Sequence, residues 1–369
     1  MEWNEDQALT LYIGTYTNEP TPSGAQSEGI YRATLLPASG AIRIEGVAAA
    51  LQNPTFLTLK GGRAYAIGEG ETGPGQTGSI AAAFAINHET GDLDLINQQP
   101  TGGDGACYIS TDASARMALV AHYSAGTVAS LPIGPEGALE PLSQLARHAM
   151  PGEGAGPVAD RQDAPHAHCI IPDRNNRFAF AADLGADRIY QYALDPVAGK
   201  ISEQPAVIYD APAGSGPRHL AFHPSGRWLY VTGELSSTLL IYEYAENDGL
   251  LREPREMALL PDDFAGENTA SEVAVSPDGQ FIYAANRGYD SITVFRVSDD
   301  TGAITLAAHC PTGGSFPRHF AMDPRGDWLV AANQKGHTLT TFRIDKASGL
   351  LEWTGHSVEV PAPVCVAFM

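Results

Sequence analysis

The sequence is poor in the features by which several large classes of protein are recognised. Only four of its 369 residues are cysteines, which is too few for a disulfide scaffold. No apolar run is long enough to cross a membrane, and the polar, acidic start MEWNEDQALT does not look like a signal peptide. We therefore expect a protein of the reducing cytoplasm, with buried free thiols at Cys107, Cys169 and Cys365 and a further thiol, Cys310, near an outer strand.

Basic residues are also scarce. Lysine and arginine together number 22 against 43 aspartates and glutamates, so the formal net charge is −21. A surface of this sign repels nucleic acid and anionic membranes. We expect neither of them as a partner, and we interpret the charge as a solubility device that carries no information about the fold.

The sequence instead contains one motif that is repeated about every 50 residues. The turn glycines Gly226, Gly279 and Gly326 of three copies lie 53 and 47 residues apart. Each copy has β-branched and aromatic runs bounded by Gly, Pro, Asn and Asp, which is typical of four short antiparallel strands. The clear copies begin at Ala164, Gly216, Ala270 and Phe316, and weaker ones lie near Asn53 and Gly105. This period and strand number predict the blades of a β-propeller.

The two ends of the chain each hold part of a repeat. The first recognisable segment, LYIGTYTN from Leu11, corresponds to the middle of a repeat. The last segment, PAPVCVAFM, corresponds to the first, inner strand of a repeat and is not followed by the other strands. We therefore predict an all-β, seven-bladed β-propeller with four antiparallel strands per blade. The C-terminal strand would join the N-terminal blade and close the ring, which removes exposed sheet edges. Residues 1–369 would form a single domain with an N-terminal tail at 1–10. An open β-solenoid leaves the split repeat unexplained.

Aligned by repeat, the blades differ most at one end of the two inner strands. The end of strand two holds Tyr16, Glu69, Tyr123, Leu184, Glu234, Arg287 and Gln334. The position before it holds Thr15, Gly68, His122, Asp183, Gly233, Asn286 and Asn333. The start of strand one contributes Asn53, His166, His168, Arg218, His219, Glu272, Arg318 and His319. Structural positions of a repeat should resemble one another, so these differing polar positions, expected at one mouth of the channel, are the candidate site.

Four histidines and three arginines of this set would form a cationic pocket that suits an anionic substrate. Arginine binds carboxylate or phosphate in a bidentate manner. The Pro-Arg-His motif occurs in two blades, however, so His219 and His319 could instead be structural, and Glu234 could be a structural partner of Arg218. His166 and His168 share a strand face as a metal pair would, but no third ligand with recognisable spacing follows. We predict no metal and no cofactor.

Several segments together resemble a known family. They are IGTYT, PHAH at 165–168, GPRH at 216–219, GELSSTLLIY at 233–242, the SPDG and YAANRG segments within 276–288, and FPRHF at 316–320. The chain resembles, from about Leu11 to Met369, the seven-bladed-propeller lactonases. That family includes bacterial cycloisomerase-like 6-phosphogluconolactonases and fungal carboxy-cis,cis-muconate cyclases.

The resemblance implies a catalytic set of one His, two Arg and one Glu. The matching residues are His168, with His166 as the less favoured choice, Arg218, Glu234 and Arg287, for which Arg318 is a competitor. The remaining candidates, assigned to substrate binding, are His166, His219, Arg318, His319, Glu69 and Gln334. An insertion at 152–163 would cover the mouth of the pocket.

The expected activity is hydrolysis of an anionic sugar lactone, 6-phosphogluconolactone to 6-phosphogluconate. Glu234 or His168 would activate water and Arg218 would stabilise the oxyanion. Arg287, Arg318 or His319 would anchor the phosphate. No Gly-x-Ser-x-Gly elbow is present to supply a covalent nucleophile. The expected partner is this small lactone, and the expected assembly is a monomer or a weak homo-oligomer.

Two alternatives stay open from the sequence. The same residues could close a lactone ring, as in a muconate cycloisomerase. A non-catalytic propeller that binds a ligand or a protein would instead show apolar residues on the rim and charges that pair among themselves. A redox propeller would need a Cys-x-x-Cys-His or a vicinal cysteine pair, and the sequence has neither.

Overall fold

The computed structural model describes residues 8–70, 78–152, 154–298 and 302–369. In these ranges all of the regular secondary structure elements are β-strands, and no helix able to cross a membrane is found there. The first three sheets take up β1 (Leu9–Thr15), β2 (Gly29–Leu36), β3 (Ala41–Ala50), β4 (Leu57–Lys60), β5 (Arg63–Gly68), β6 (Ile80–Ile86), β7 (Leu93–Pro100), β8 (Ala106–Thr111), β9 (Met117–His122), β10 (Thr127–Pro132) and β11 (Gln144–Arg147).

The remaining strands form four more sheets and complete the first one. The fourth and fifth sheets contain β12 (Ala167–Pro172), β13 (Phe178–Asp183), β14 (Arg188–Asp195), β15 (Lys200–Ile201), β16 (Val207–Asp210), β17 (Pro217–Phe222), β18 (Trp228–Gly233), β19 (Thr238–Ala245), β20 (Leu250–Leu251) and β21 (Arg255–Ala258). The last strands are β22 (Thr269–Val275), β23 (Phe281–Arg287), β24 (Ser291–Val297), β25 (Ile304–Pro311), β26 (Pro317–Met322), β27 (Trp328–Asn333), β28 (Thr338–Ile344), β29 (Leu351–Glu359) and β30 (Pro363–Phe368).

The seven sheets are the seven predicted blades. Blade one has the strand order β3-β2-β1-β30, and β1 and β30 pair antiparallel with Leu11 opposite Phe368. The prediction that the C-terminal strand completes the first blade is thus confirmed. The predicted tail at 1–10 is too long, because β1 already begins at Leu9; residues 1–7 lie outside the described residues.

Two blades depart from four strands because their outer strand is divided. In blade four β15 and β16 both pair with β14, and in blade five β20 and β21 both pair with β19. Pro205 and Pro254 lie in the two interruptions. Proline has no N–H to give to a ladder, so an outer strand that contains one is broken there.

The chain divides into two compact units. The first unit comprises residues 1–54, 87–93 and 259–369, with blades one, six and seven, and the second comprises residues 55–86 and 94–258, with blades three to five and most of blade two. The assignment of the whole chain to a single domain stays a prediction.

Within each unit the apolar core lies between neighbouring blades. In the second unit Met117 and Leu119 pack towards blade four, while the alternating residues Ala118 and Val120 pack towards blade two. Successive side chains of a strand point to opposite faces, so β9 is apolar from Met117 to Ala121 because both faces are covered. In the first unit Leu11 packs in the same way against the strands of blade seven.

The described cysteines carry free thiols, as predicted. Cys107, Cys169 and Cys365 lie buried on the innermost strands β8, β12 and β30, and Cys310 is half-buried on the outer strand β25.

Candidate functional site

The candidate residues at the start of the inner strands occupy irregularities of the β-ladder. The register of β12 against β13 shifts around His168, and the register of β17 against β18 shifts around Arg218 and His219. In blade seven the same shift surrounds Arg318. A bulge leaves a residue outside the ladder and re-aims its side chain, which frees these positions from the regular in-and-out alternation.

The column at the end of strand two is aligned as the repeats predicted. Glu234 donates its backbone N–H to the carbonyl of Gly216 (2.8 Å), and Gln334 donates to that of Phe316 (3.0 Å). Both acceptor residues have a positive φ, +60° at Gly216 and +63° at Phe316. Glycine adopts this conformation without penalty, whereas a bulky residue is strained by it.

The positions directly before the end of strand two were interpreted from the sequence as part of the site. In the structure their side chains form buried hydrogen bonds that stabilise the blades. Their polar members are fully buried and bond to residues of the third strands and of the loops of the same or the preceding blade. The bonds join His122 to Thr101 and Thr127, Asp183 to His148, Asn286 to Ser291 and Thr293, and Asn333 to Thr340. Buried polar groups need such partners, and each blade meets that need with different residue types. Divergence between repeats therefore does not by itself indicate function.

In the second unit two arginines converge on one buried carboxylate. Glu234 Oε2 lies 2.8 Å from Arg218 Nε, and Glu234 Oε1 lies 2.5 Å from Arg161 Nη2. The side chains of Glu234 and Arg218 are 3% and 2% exposed, whereas that of Arg161 is 34% exposed. Burial alone would lower the pKa of Arg161, but the charge and hydrogen bond of Glu234 outweigh it and raise that pKa.

Tyr123 connects this carboxylate cluster to the histidines. Its hydroxyl accepts a hydrogen bond from Arg161 Nη2 (3.4 Å). Its ring stacks on His166 with centroids 4.3 Å apart and meets His168 edge-on at 5.8 Å. Burial raises the pKa of Tyr123, against the opposing effect of Arg161, so the phenol keeps its proton at neutral pH.

His168 and His219 belong to a buried cluster of rings. Their centroids are 5.2 Å apart, and His219 meets Tyr108 edge-on at 5.1 Å and Phe56 at 5.7 Å. Both imidazoles are more than nine-tenths buried. The aromatic neighbours hold the two rings in place, which is the preorganisation that a catalytic imidazole requires.

His166 has a different environment, which fits its place as the less favoured catalytic choice. Its Nδ1 lies 2.9 Å from the carbonyl of Tyr123, and its Nε2 lies 3.1 Å from Asp163 Oδ1. The hydrogen bond from His166 lowers the pKa of Asp163. His166 thus ties the inserted segment to blade four.

Sequence reasoning missed Arg161, which belongs to that segment. Residues 154–163 form a compact loop in which Arg161 donates its backbone N–H to Val158 (2.8 Å). The fully buried Gln162 donates to the carbonyl of Leu184 (2.9 Å). The repeat alignment marks the segment as an insertion, but a residue outside the repeat columns has no predicted partner. The only available signal was an arginine in a segment already expected to cover the pocket.

The candidate arginines of the first unit contact backbone carbonyls and aromatic rings. Arg287 Nη2 donates to the carbonyl of Ala270 (2.8 Å), and its guanidinium lies 5.2 Å from the ring centroid of Phe316. Arg318 lies over the ring of Tyr16 at 5.4 Å. Contacts of this kind fix an arginine and use part of its hydrogen-bonding capacity.

The other candidates of the first unit are also held by neighbours. His319 Nε2 lies 2.9 Å from Glu272 Oε2, and His319 Nδ1 accepts the N–H of Val366 on β30 (3.3 Å). Both nitrogens are engaged, which favours the structural interpretation of this histidine. Gln334 Nε2 donates to both carboxylate oxygens of Glu19, at 3.1 and 2.9 Å.

The structure therefore divides the predicted set. In the second unit it brings together, through Tyr123 and Arg161, the residues His166, His168, His219, Arg218 and Glu234. Glu69 lies half-buried directly after β5 in the same unit. Arg287, Arg318, His319 and Gln334 belong to the first unit. Within the described ranges no three His, Cys, Asp or Glu side chains are grouped as a metal site would require.

Comparison with known proteins gives a consistent result. The model of a family described as "Lactonase, 7-bladed beta-propeller" matches residues 10–368. The chain is 36% identical to the 6-phosphogluconolactonase of Bacillus subtilis over 97% of both chains. It is similar to a candidate 6-phosphogluconolactonase of Bacteroides fragilis, with a TM-score of 0.88, 30% identity and full coverage of both chains. It is also similar to the periplasmic gluconolactonase of Pseudomonas aeruginosa, with a TM-score of 0.87 and 31% identity over 98% of this chain and 99% of that one.

Proposed function

Because the chain belongs to the family of seven-bladed β-propeller lactonases, we propose that it hydrolyses an anionic sugar lactone, 6-phosphogluconolactone, to 6-phosphogluconate. The relatives named above support a sugar lactone as the substrate. The observation that carries the proposal is the buried carboxylate of Glu234 between two guanidinium groups, next to a cluster of imidazoles. This arrangement brings cationic charge and a candidate base together in an otherwise acidic protein.

The reaction needs a base, a charge that stabilises the oxyanion, and groups that hold the substrate. Both oxygens of Glu234 are bonded to guanidinium groups, and such bonds favour the ionised carboxylate and make it a weak base. We therefore assign the base to His168, since histidine is the side chain whose ordinary pKa lies near neutrality. Glu234 orients the two arginines.

The steps follow from these roles. His168 takes a proton from water as the water oxygen attacks the lactone carbonyl carbon. The positive charge of Arg218 stabilises the tetrahedral oxyanion, and its guanidinium is fixed in advance by Glu234. The bond between the carbonyl carbon and the ring oxygen then breaks, and the imidazolium of His168 returns the proton to that oxygen.

The assignment of the second catalytic arginine to Arg287 stays a prediction, as do the substrate contacts of Glu69, Arg318, His319 and Gln334. We also propose that the protein acts in the cytoplasm, as a monomer or a weak homo-oligomer. Its free thiols support a reducing compartment, although the relative from Pseudomonas aeruginosa is periplasmic.

A substrate panel tests the proposal. Purified protein is assayed with and without EDTA on 6-phosphogluconolactone, unphosphorylated gluconolactone and a carboxymuconolactone, with spontaneous hydrolysis subtracted. We expect fast turnover of the phosphorylated lactone, and we expect an Arg218→Ala variant to lose it. Turnover of the carboxymuconolactone alone would favour the ring-closing alternative. No turnover above background with any of the three would contradict the proposal and leave a binding propeller, and loss of activity to EDTA alone would overturn the prediction of no metal.

A further inference from the structure

The guanidinium of Arg161 has an unoccupied edge. Its Nη2 atom binds Glu234 Oε1 and the hydroxyl of Tyr123, and among the described residues its Nε and Nη1 have no hydrogen-bond partner. One third of the side chain is exposed to solvent. A guanidinium presents five N–H donors, so most of the donor capacity of Arg161 remains available.

Arg161 is the accessible member of the charge cluster. The cluster of Arg161, Arg218 and Glu234 carries a net charge of +1, and the side chains of the other two members are almost fully buried. An anion that approaches this cluster from solvent therefore meets Arg161 first. Planar, bidentate donation to phosphate or carboxylate is the interaction for which arginine is best suited.

The loop that carries Arg161 is also fixed by hydrogen bonds. The backbone N–H of Arg161 and that of Gln162 both bind the carbonyl of Val158, at 2.8 Å each. The buried amide of Gln162 anchors the loop to Leu184, and Asp163 is bound by His166. A cation presented from such a fixed turn loses little conformational entropy when it binds an anion.

We propose that Arg161 binds the phosphate of the substrate and so sets the preference for phosphorylated over unphosphorylated lactones. This inference rests on the proposed lactonase function, and it assigns to Arg161 the anchoring role that sequence reasoning gave to Arg287, Arg318 or His319. In this arrangement the Glu234 carboxylate orients the guanidinium, and the Tyr123 hydroxyl accepts a hydrogen bond from it.

The test separates substrate binding from catalysis. KM and kcat are measured for 6-phosphogluconolactone and gluconolactone with the wild type, Arg161→Ala and Arg161→Lys. We expect Arg161→Ala to raise KM for the phosphorylated lactone by about 10- to 100-fold and to leave KM for gluconolactone within about twofold. Arg161→Lys should be intermediate, because an ammonium is a point charge without the guanidinium fork.

A matched control is available in the same unit. Arg188 on β14 is also partly exposed and bound to a carboxylate, with Nε 2.8 Å from Asp210 Oδ1, and it is not among the candidate residues. Arg188→Ala should leave both KM values unchanged. A rise in KM, or a fall in kcat, of equal size for both lactones in Arg161→Ala would show that Arg161 only supports Glu234, and would overturn the inference.

A binding measurement keeps this test independent of turnover. Calorimetry with 6-phosphogluconate, gluconate and inorganic phosphate is performed on the wild type and Arg161→Ala. Binding of 6-phosphogluconate that is lost in the variant supports the inference even if neither lactone is hydrolysed, in which case only the proposed function fails. Equal binding by both proteins, or no binding of 6-phosphogluconate to the wild type, overturns it. Comparable binding of inorganic phosphate would assign the site to the phosphate group alone rather than to a phosphosugar.

Discussion

The two units of the molecule place similar charged residues at equivalent blade positions and use them differently. In the second unit Arg218 and Arg161 meet at the carboxylate of Glu234, and part of Arg161 faces solvent. In the first unit Arg287 binds backbone carbonyls, and His319 is held between Glu272 and Val366. We therefore propose that a charged residue at such a position can serve either the packing of its blade or the chemistry of a site.

The difference lies in what surrounds the charge. The inserted loop at 154–163 adds a third charged group, Arg161, to the Arg218–Glu234 pair of the second unit. The His319–Glu272 pair of the first unit is instead bonded to the backbone of the closing strand β30. A buried pair whose atoms bind main chain can contribute to a specific structure, whereas a pair joined by an exposed cation can respond to a ligand. The following predictions test this contrast.

The largest effect is expected for Arg218→Ala. This change removes the charge assigned to the oxyanion and leaves the buried Glu234 carboxylate without the buried half of its pair of arginines. We expect kcat/KM on 6-phosphogluconolactone to fall by about 100-fold or more. The free energy of unfolding, measured with urea, should fall by about 3–5 kcal/mol, as for other broken buried pairs. Unchanged activity in the folded variant would place the site elsewhere.

His168 and His319 should respond in opposite ways to substitution by alanine. His168→Ala should lower kcat by about 100-fold or more, because the proposed base is lost. His319→Ala should mainly lower the free energy of unfolding, by about 1–3 kcal/mol, since Glu272 and the N–H of Val366 each lose a buried partner. The measurements are steady-state kinetics and urea unfolding of both variants. A loss of kcat in a folded His319→Ala variant, with kcat unchanged in His168→Ala, would contradict the predicted difference between the two histidines.

The burial of His122 predicts that the free energy of unfolding depends on pH. Burial lowers the pKa of His122 from 6.5 to about 4. As pH falls from 6.5 to 4 the unfolded chain binds this proton before the folded chain does, so stability is lost in that window, by about 3 kcal/mol at pH 4. His122→Asn, with the residue found at this position in blades six and seven, should remove this component. Urea unfolding at pH 7 and pH 4 measures it, and an equal pH dependence in the variant would refute it.

The smallest effect is expected at the turn after the innermost strand. Ala115 has a φ of +55° there, whereas the corresponding residues of blades six and seven are Gly279 and Gly326. Ala115→Gly should raise the free energy of unfolding by about 1 kcal/mol, because only glycine adopts this conformation without steric cost.

Gly226→Ala is the matched opposite change. The φ of Gly226 is +73°, and a Cβ added there would come no nearer than 3.7 Å to Arg174. A loss of about 1–2 kcal/mol should therefore report backbone strain alone. Thermal or urea unfolding of both variants is the measurement, and changes of the same sign would show that backbone conformation does not control this turn.

Most of the fold follows from the repeat. The period predicts the blades, the half-units at the two ends predict the pairing of β1 with β30, and the Pro-x-Gly turns fix the alignment of the columns. These features are encoded locally by residue type and spacing. The divided outer strands were not predicted, although Pro205 and Pro254 were visible, because the repeat suggested that each blade has the same four strands.

The site could be predicted only in part. Arg218, His168 and Glu234 stand at aligned positions, so the columns brought them together. The bulges that re-aim the side chains of Arg218 and His168 depend on the register of the β-ladder. That register could not be predicted from residue type. Arg161 lies outside the repeat, and its contact with Glu234 arises from the path of an irregular loop. His122 and Asp183 looked functional because they differ between blades, but a buried brace can be built from any suitable donor and acceptor.

The most direct test compares two buried glutamates, Glu234 of the second unit and Glu272 of the first. Glu234 is bonded to the buried Arg218 and Glu272 to the buried His319, and each glutamate can be changed to the nearly isosteric glutamine. The measurement is kcat/KM on 6-phosphogluconolactone for Glu234→Gln and Glu272→Gln, corrected for the folded fraction. We predict a loss of about 100-fold or more for Glu234→Gln and a change within about threefold for Glu272→Gln. Full activity in Glu234→Gln, or the larger loss in Glu272→Gln, would contradict the assignment of the site to the second unit.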